Sequence, residues 1–436
     1  MNEKTQIMFS DTRSGITRAV EEIFDHFGGA KALLKSSGDV YLKVNAVDAK
    51  AFCYTDPQVI AAVITYFKKH GARDIYVIEN CTQANITRLV FEITGIKKAC
   101  VQNGAKPVCL DETGVVPVFL ETLQSFVDFS DFVVERLIEK KDENLYVSLP
   151  KLKSHSMSQV TFSLKNQFGL VHQASRVTDH NFRIHAKFAD IYRVIRPDFV
   201  LIDGLIATNH GHYIAKKVAP ECIVNTEVLI GGKDPLAVDV CAAKFLGFDL
   251  KDVLHLALAA QTGLGNSDFD SFEIIGKELF TGRAQNFTCE LLERFPPELV
   301  ILRGPERCCK EGCRRNTESV VELFYCDHQG RGDFTILMGK GIPQAEVDKI
   351  TGRVHLAGNC AISDHGLSLV RRLGKKNVTF SHGCNSLPQT VAALCKHMGV
   401  SPLNLSGTDP FTALTALVSA KARGTRACIP PLLPLG

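Results

Sequence analysis

There is no tryptophan in these 436 residues, and tyrosine appears only eight times. Charge of one sign is also missing: 50 Lys and Arg face 47 Asp and Glu, a formal charge of +3. A nucleic-acid binder advertises itself by a basic face, and none is evident here. No apolar run reaches the ~18 residues that a membrane span needs. The opening MNEKTQIMFSDTRSG has no apolar leader core. Neither nucleic acid nor membrane is therefore an expected partner, and a cytoplasmic location is expected. Nucleotide signatures are absent too. There is no G-x-x-x-x-G-K-[ST] and no G-x-G-x-x-G opening a helix, and Gly263-Leu264-Gly265 is too short for a phosphate loop.

What is present reads as an α/β protein. "DVYLKVNAV" (39–47), "RDIYVIEN" (73–80), "KPVCL", "NLYVSLPKLK" (144–153) and "PDFVLIDGL" (197–205) are short apolar strands. Helical stretches alternate with them. "TDPQVIAAVITYFKKHG" (55–71) has Thr55 or Asp56 as N-cap, Pro57 in the first turn and Gly71 as stop. A further helix is expected through 86–104, and a polar, His-rich stretch over 154–196. This rhythm predicts parallel or mixed sheets covered by helices, Rossmann-like in the N-terminal region. Residues 266–296 read as a junction. A second, smaller α/β domain follows, with strands in "ELVILRG", "FTILMGKGI", "RVHLAGNCA" and "NVTFSHGCN". The expected boundaries are 1–280 and 297–428.

Cysteine is the surplus. There are fifteen, and six fall between Cys308 and Cys384. "RCCKEGCRRN" (307–316) packs Cys308, Cys309 and Cys313 among Arg307, Lys310, Arg314 and Arg315. Such cations would offset thiolates and depress their pKa values. Ligands of open α/β sheets collect at the carboxyl ends of strands. Three strand ends here each deliver cysteine, so Cys309, Cys313, Cys360 and Cys384 are the expected four-thiolate metal site, with Cys308 and Cys326 as spares. A glycine just before Cys360 and Cys384 lets the backbone approach something bulky. Scattered ligands at strand ends suit an iron–sulfur cluster, most simply 4Fe-4S, better than paired C-x2-C zinc loops; zinc is the alternative.

A second group begins in "LPKLKSHSMSQVTFSLKNQFGLV" (149–171). Lys153, His155, Lys165 and Asn166 fall within fourteen residues. Two lysines, a histidine and an amide would grip carboxylate or phosphate. Lys43 and Asn45 of "LKVN", and Asp203 of "LIDG", sit at apparent strand ends and are expected in the same crevice. In this reading Lys153, His155 and Lys165 are catalytic, while Lys43, Asn45, Asn166 and Asp203 bind substrate. His172, His180, His185, His210 and His212 follow without metal-ligand spacing.

The run from "YLKVNAV" through "LPKLKSHSMSQVTFSLKNQFGL" and "GKDPLAVDVCAAKFLGF" to "GLG" resembles the domain of unknown function 362 family over roughly residues 38 to 276. That family is often joined to iron–sulfur modules, commonly a ferredoxin-type domain. The ferredoxin run is absent here. The C-terminal part is instead similar to an appended domain with "CKEGCRRN", "GNCA" and a final Gly-Cys, usually G-C-P-P and here Gly383-Cys384-Asn385-Ser386. The resemblance implies a cluster and a fold, not a substrate. Sequence reading therefore leads to an iron–sulfur oxidoreductase, or a cluster-dependent lyase, acting on a small anionic metabolite. An electron-transfer or scaffold protein and a zinc-stapled metabolite binder are the alternatives. A redox partner such as a ferredoxin and a homo-oligomeric state are compatible with it.

Overall fold

The computed structural model describes residues 4–178 and 180–427. Two parallel-rich sheets organise the chain. The larger is built from β1 (Gln6–Asp11), β2 (Val40–Val44), β3 (Ile75–Glu79), β4 (Lys106–Cys109), β7 (Leu145–Leu149), β10 (Phe199–Thr208), β12 (Val228–Gly232) and β13 (Glu273–Ile275). Their order is β13-β1-β12-β10-β7-β2-β3-β4, with β8 (Lys151–His155) and β11 (Ile223–Val224) paired to β10, and β9 (Gln159–Val160) paired to β8. The β10-β7-β2-β3-β4 half is parallel, whereas β12 runs antiparallel to both β1 and β10. A separate hairpin, β5 (Val115–Leu120) with β6 (Ser125–Ser130), was not foreseen from sequence.

Every residue of β2 and β7 is buried, as expected of strands covered on both faces. The helix Pro57–Lys69 covers one face with Val59, Ile60, Val63 and Phe67. Asp56, not Thr55, caps it, accepting the Gln58 N–H at 2.8 Å, and Thr55 instead donates its hydroxyl to the Leu149 carbonyl (2.6 Å). The helix expected over 86–104 is two helices, Thr87–Ile93 and Ile96–Gln102, broken at Gly95 with φ +79°. "NLYVSLPKLK" is likewise two strands, because Pro150 interrupts the ladder between β7 and β8. The stretch 154–196, read from sequence as polar and His-rich, carries four helical turns or helices, the longest being Ile184–Val194.

The smaller sheet, β14 (Val300–Arg303), β15 (Phe334–Met338), β16 (Arg353–Ala357) and β17 (Val378–Ser381), is fully parallel and in sequential order. All four carboxyl ends therefore share one edge. The helices Arg315–His328 and Leu387–Met398 pack together against it. The last helix, Pro410–Ala422, returns to the larger unit and lays its alanines on Ile86 and Leu89. Among the described residues, no helix is long and apolar enough to cross a membrane.

Candidate functional site

A polar crevice opens at the carboxyl edge of β2 and β3. Lys43 is fully buried and donates to Glu79 (2.6 Å) and to the Val44 carbonyl (2.8 Å). Glu79 also takes the backbone N–H of Ala46 (2.6 Å) and Asn80 (2.8 Å). Burial pushes the Lys43 amine below the usual lysine range, and Glu79 opposes that push. Asn166 joins the pair to the next strands: its Oδ1 accepts from Lys43 (3.3 Å) and Asn45 (3.2 Å), and its Nδ2 donates to the Lys43 carbonyl (3.0 Å). Asp239 fixes the helix that carries Lys165 and Asn166. Its carboxyl accepts the N–H groups of Ser163 (2.8 Å) and Leu164 (2.7 Å), while burial pushes its pKa up to about 8.

The glycine of "KNQFG" has a clear cause. A Cβ on Gly169 would lie 2.3 Å from Glu79 Oε1 and 2.7 Å from Lys43 Nζ. Gly169→Ala is expected to lower stability by about 1–3 kcal/mol through overpacking of that ion pair. Denaturant unfolding would check it.

His155, at the end of β8, stacks on His212 with ring centroids 3.5 Å apart and planes 9° apart. Both are buried, and burial first, then His212 and Lys165 at His155 and Lys165 and Lys153 at His212, pushes both pKa values well below the usual histidine range. They are neutral at pH 7. The Met157 N–H donates to His155 Nδ1 (3.2 Å), which places the His155 proton on Nε2. Lys165 Nζ lies 5.6 Å over the Phe188 ring. Burial, then Lys153, Arg176 and Lys43, pushes its amine well down. Arg176 donates to the Asn80 carbonyl (2.8 Å). Glu79 is the one carboxylate among the described residues lining the crevice, and it is already engaged by Lys43. The net field is positive. Several buried polar atoms of the lining also have no hydrogen-bond partner: Asn45 Oδ1, Asn80 Oδ1, Gln83 Oε1 and Arg176 Nε. Buried polar atoms are rarely left so, and a ligand is a common reason.

At the edge of the smaller sheet, Cys309 follows β14, Cys360 follows β16 and Cys384 follows β17. Cys313 lies in the helical turn Lys310–Arg314. Its thiol is pushed up to about 12, by burial and then by Cys308, Cys360, Cys309 and Cys384, so five cysteines share one neighbourhood. Gly358, at φ +84°, makes room for it: a Cβ there would sit 2.4 Å from Cys313 Sγ. The turn after β17 is clamped by Asn385, whose side chain reaches Ser381 (2.5 Å), Thr317 (2.9 Å) and the Cys313 carbonyl (3.3 Å). Among the described residues, no three His, Cys, Asp or Glu side chains are grouped so as to hold a single metal ion.

The two sites meet. Asn181 donates to the carbonyls of Cys384 (2.9 Å) and Asn385 (3.3 Å), and its Oδ1 lies 2.5 Å from Nδ1 of His180, which lines the crevice. Asn316, from the helix Arg315–His328, also lines the crevice and donates to the Asn385 carbonyl (2.8 Å).

Residues 40–244 match the family model described as domain of unknown function, DUF362. The thylakoid-associated protein sll1697 of Synechocystis sp. is 25% identical over 199 residues, which are 43% of this chain and 58% of that protein. The match thus spans less than two thirds of the relative's length. A crystal structure of a Thermotoga maritima protein aligns over 92% of this chain and 85% of that one, with 8% identity and a TM-score of 0.33. A likeness that weak carries no argument.

The crevice residues from Lys43 to Tyr213 all lie inside the DUF362 segment, and the cysteine neighbourhood lies wholly outside it. Of the residues expected in the crevice, Lys43, Asn45, His155, Lys165 and Asn166 line it. Lys153 is buried behind them, donates to the Cys53 carbonyl (2.5 Å), and is pushed by burial down to about 8. Asp203 is elsewhere. It pairs with Lys151 (2.9 Å) and accepts the Asp56 N–H (2.7 Å), tying β8, β10 and a helix start together. Cys326 also stands apart, packed with Val218 and Cys222. Of the four cations expected to lower the thiols, Arg314 does so at Cys308, where burial outweighs it. Arg307 Nε donates to Cys309 Sγ (3.2 Å), but Lys310 pairs with Glu290, Arg314 with Glu318 (3.3 Å), and Arg315 with Glu318 (2.8 Å) and Glu293 (3.1 Å). Burial raises Cys313 and Cys308 instead of lowering them, Cys308 to about 11. Glu79, Asn80, Arg176, His180 and His212 are the crevice residues that the sequence reading missed as site residues. Glu79 and Asn80 end the strand "RDIYVIEN", so the strand-end rule could have found them.

Proposed function

We propose that this protein is an iron–sulfur oxidoreductase that holds an anionic substrate in the DUF362 crevice. The observation that carries the reading is the shared wall. The backbone of Cys384 and Asn385 hydrogen-bonds to Asn181, the neighbour of the crevice-lining His180, and to Asn316, which itself lines the crevice. Cys309, Cys313, Cys360 and Cys384 would hold a 4Fe-4S cluster, with Cys308 in reserve. The donor set fits: thiols from three strand ends, a glycine that clears space beside Cys313, and a guanidinium on Cys309. When bound, such a cluster supplies or accepts one electron at a time.

The chain's own residues do the rest. Lys165 and Arg176 bind the carboxylate or phosphate, with Lys153 adding positive field from behind. The Lys43–Glu79 pair and Asn166 hold the floor rigid. Neutral His155, with Nδ1 occupied by the Met157 N–H, offers its Nε2 proton to the substrate during electron transfer. A ferredoxin-type donor and a cytoplasmic location belong to the same proposal. Zinc is the competing occupant. A zinc ion would draw its ligands to ~2.3 Å from one centre.

Anaerobic purification with iron and sulfide analysis tests the reading. About four iron and four sulfide per chain, with broad absorbance near ~400 nm, is the expected result. Cys360→Ser should lose both, and Cys326→Ser should keep both. Colourless protein carrying zinc would overturn it.

A further inference from the structure

The crevice is small. Its volume is about 60 Å³, room for a carboxylate or phosphate group and little else. It is not closed, however. Thr82, Met157, His212, Tyr213, Asn316 and Leu387 line it and also line a second cavity of about 470 Å³. That volume is typical of a small-molecule site. Its far wall is apolar: Val320, Leu323 and Phe324 from the helix Arg315–His328, Val391 from Leu387–Met398, and Leu414 and Leu417 from Pro410–Ala422. Some of its polar side chains are paired, though the buried Tyr213 hydroxyl has no hydrogen-bond partner. Arg315 is paired with Glu318 and Glu293, and Asn85 donates to Asp48 (3.3 Å).

We propose that the substrate is an amphipathic anion, whose charged head sits in the crevice and whose extended apolar body fills the adjoining cavity. This rests on the reading of the crevice as an anion site and names the substrate class. A compact, wholly polar metabolite would leave the larger room unfilled. An apolar molecule with no charge would leave the cations Lys165 and Arg176 unanswered. One molecule with both parts satisfies both rooms. The shared wall also places the junction of head and body beside the His155–His212 stack, where a proton can be moved.

Straight-chain carboxylates from acetate to decanoate, titrated calorimetrically into the full chain, are the test. Each buried methylene tightens binding roughly fourfold at best. Decanoate is therefore expected to bind at least ~30-fold more tightly than acetate, allowing for incomplete burial and chain ordering. Ala84→Phe and Val391→Trp, both at residues that line the larger cavity and not the crevice, should each remove that advantage and leave acetate binding unchanged. Equal affinity for acetate and decanoate would overturn the inference and leave the anion site standing. So would a chain-length advantage that neither filling variant reduces. Failure of every carboxylate to bind would instead remove the anion-site reading, and this inference with it.

Discussion

Removing the Glu79 carboxylate, as Glu79→Ala, is expected to destabilise the protein by about 3–5 kcal/mol at pH 7, because it strands a buried ammonium. Lys43 and Glu79 are 1% and 2% exposed at their side chains, so water cannot replace the lost partner. The loss should depend on pH with a definite sign. Burial already pushes Lys43 down, and Glu79 is the largest opposing influence. Without Glu79 the folded pKa falls further, while the unfolded value stays at ~10.4. Between those two values the unfolded chain binds a proton that the folded chain does not, so stability rises with pH there. The variant should regain ground relative to the parent protein between pH 7 and 10. Urea unfolding at both pH values measures it. A constant deficit would mean that the lost N–H contacts to Ala46 and Asn80, not the stranded charge, set the cost. Replacing both partners by Met and Leu should be far milder than the single change, since no charge is then left unpaired.

The same pair shows how far the sequence could be read. Lys43 was legible because "DVYLKVNAV" is a short apolar strand with polar residues at its end, and strand ends gather ligands. Its partner was not. Glu79 lies 36 residues away, and nothing local says that β2 and β3 lie side by side in parallel, with Lys43 opposite Ile78. Asp203 failed for a different reason. "LIDG" looked like a strand end, but β10 runs on to Thr208, so the carboxyl falls in mid-strand against Lys151. The smaller sheet was read well because three of its four parallel strands, β14, β16 and β17, are each followed within a few residues by a cysteine. The charges of "RCCKEGCRRN" were misread because their partners are supplied by other segments. Glu290 and Glu293 come from the junction, and Glu318 from the following helix. Cys326 is on that same helix, thirteen residues past Cys313, and its surroundings belong to the larger unit. Periodicity gives the elements; which charges meet is decided by packing.

Lys165 and Lys153 are alike in sequence, and the structure separates them. Lys165→Met should weaken binding of sulfate by about 10- to 150-fold, the loss of one or two charge-assisted hydrogen bonds. Its Nζ lies over Phe188 in the crevice lining. Lys153→Met should act mainly on stability, because its ammonium is spent on the Cys53 carbonyl in the interior. The pH dependence distinguishes the two further. An anion holds Lys165 in its ammonium form, but in the free protein burial and Lys153, Arg176 and Lys43 push that amine well below the usual lysine range. As pH rises through that lowered value, binding must first reprotonate Lys165, so affinity falls. Sulfate keeps its own charge from pH 6 to 9, so a fall across that range reports on the protein alone. The decline should start below the ~10.4 of an ordinary lysine, and Lys165→Met should flatten it. Calorimetric titration of the parent protein and both variants at three pH values measures all of this. A fall that survives in Lys165→Met would move the titrating group to Lys153, whose amine is pushed down to about 8. It would then make the buried lysine, and not the one facing the crevice, the charge that governs the site.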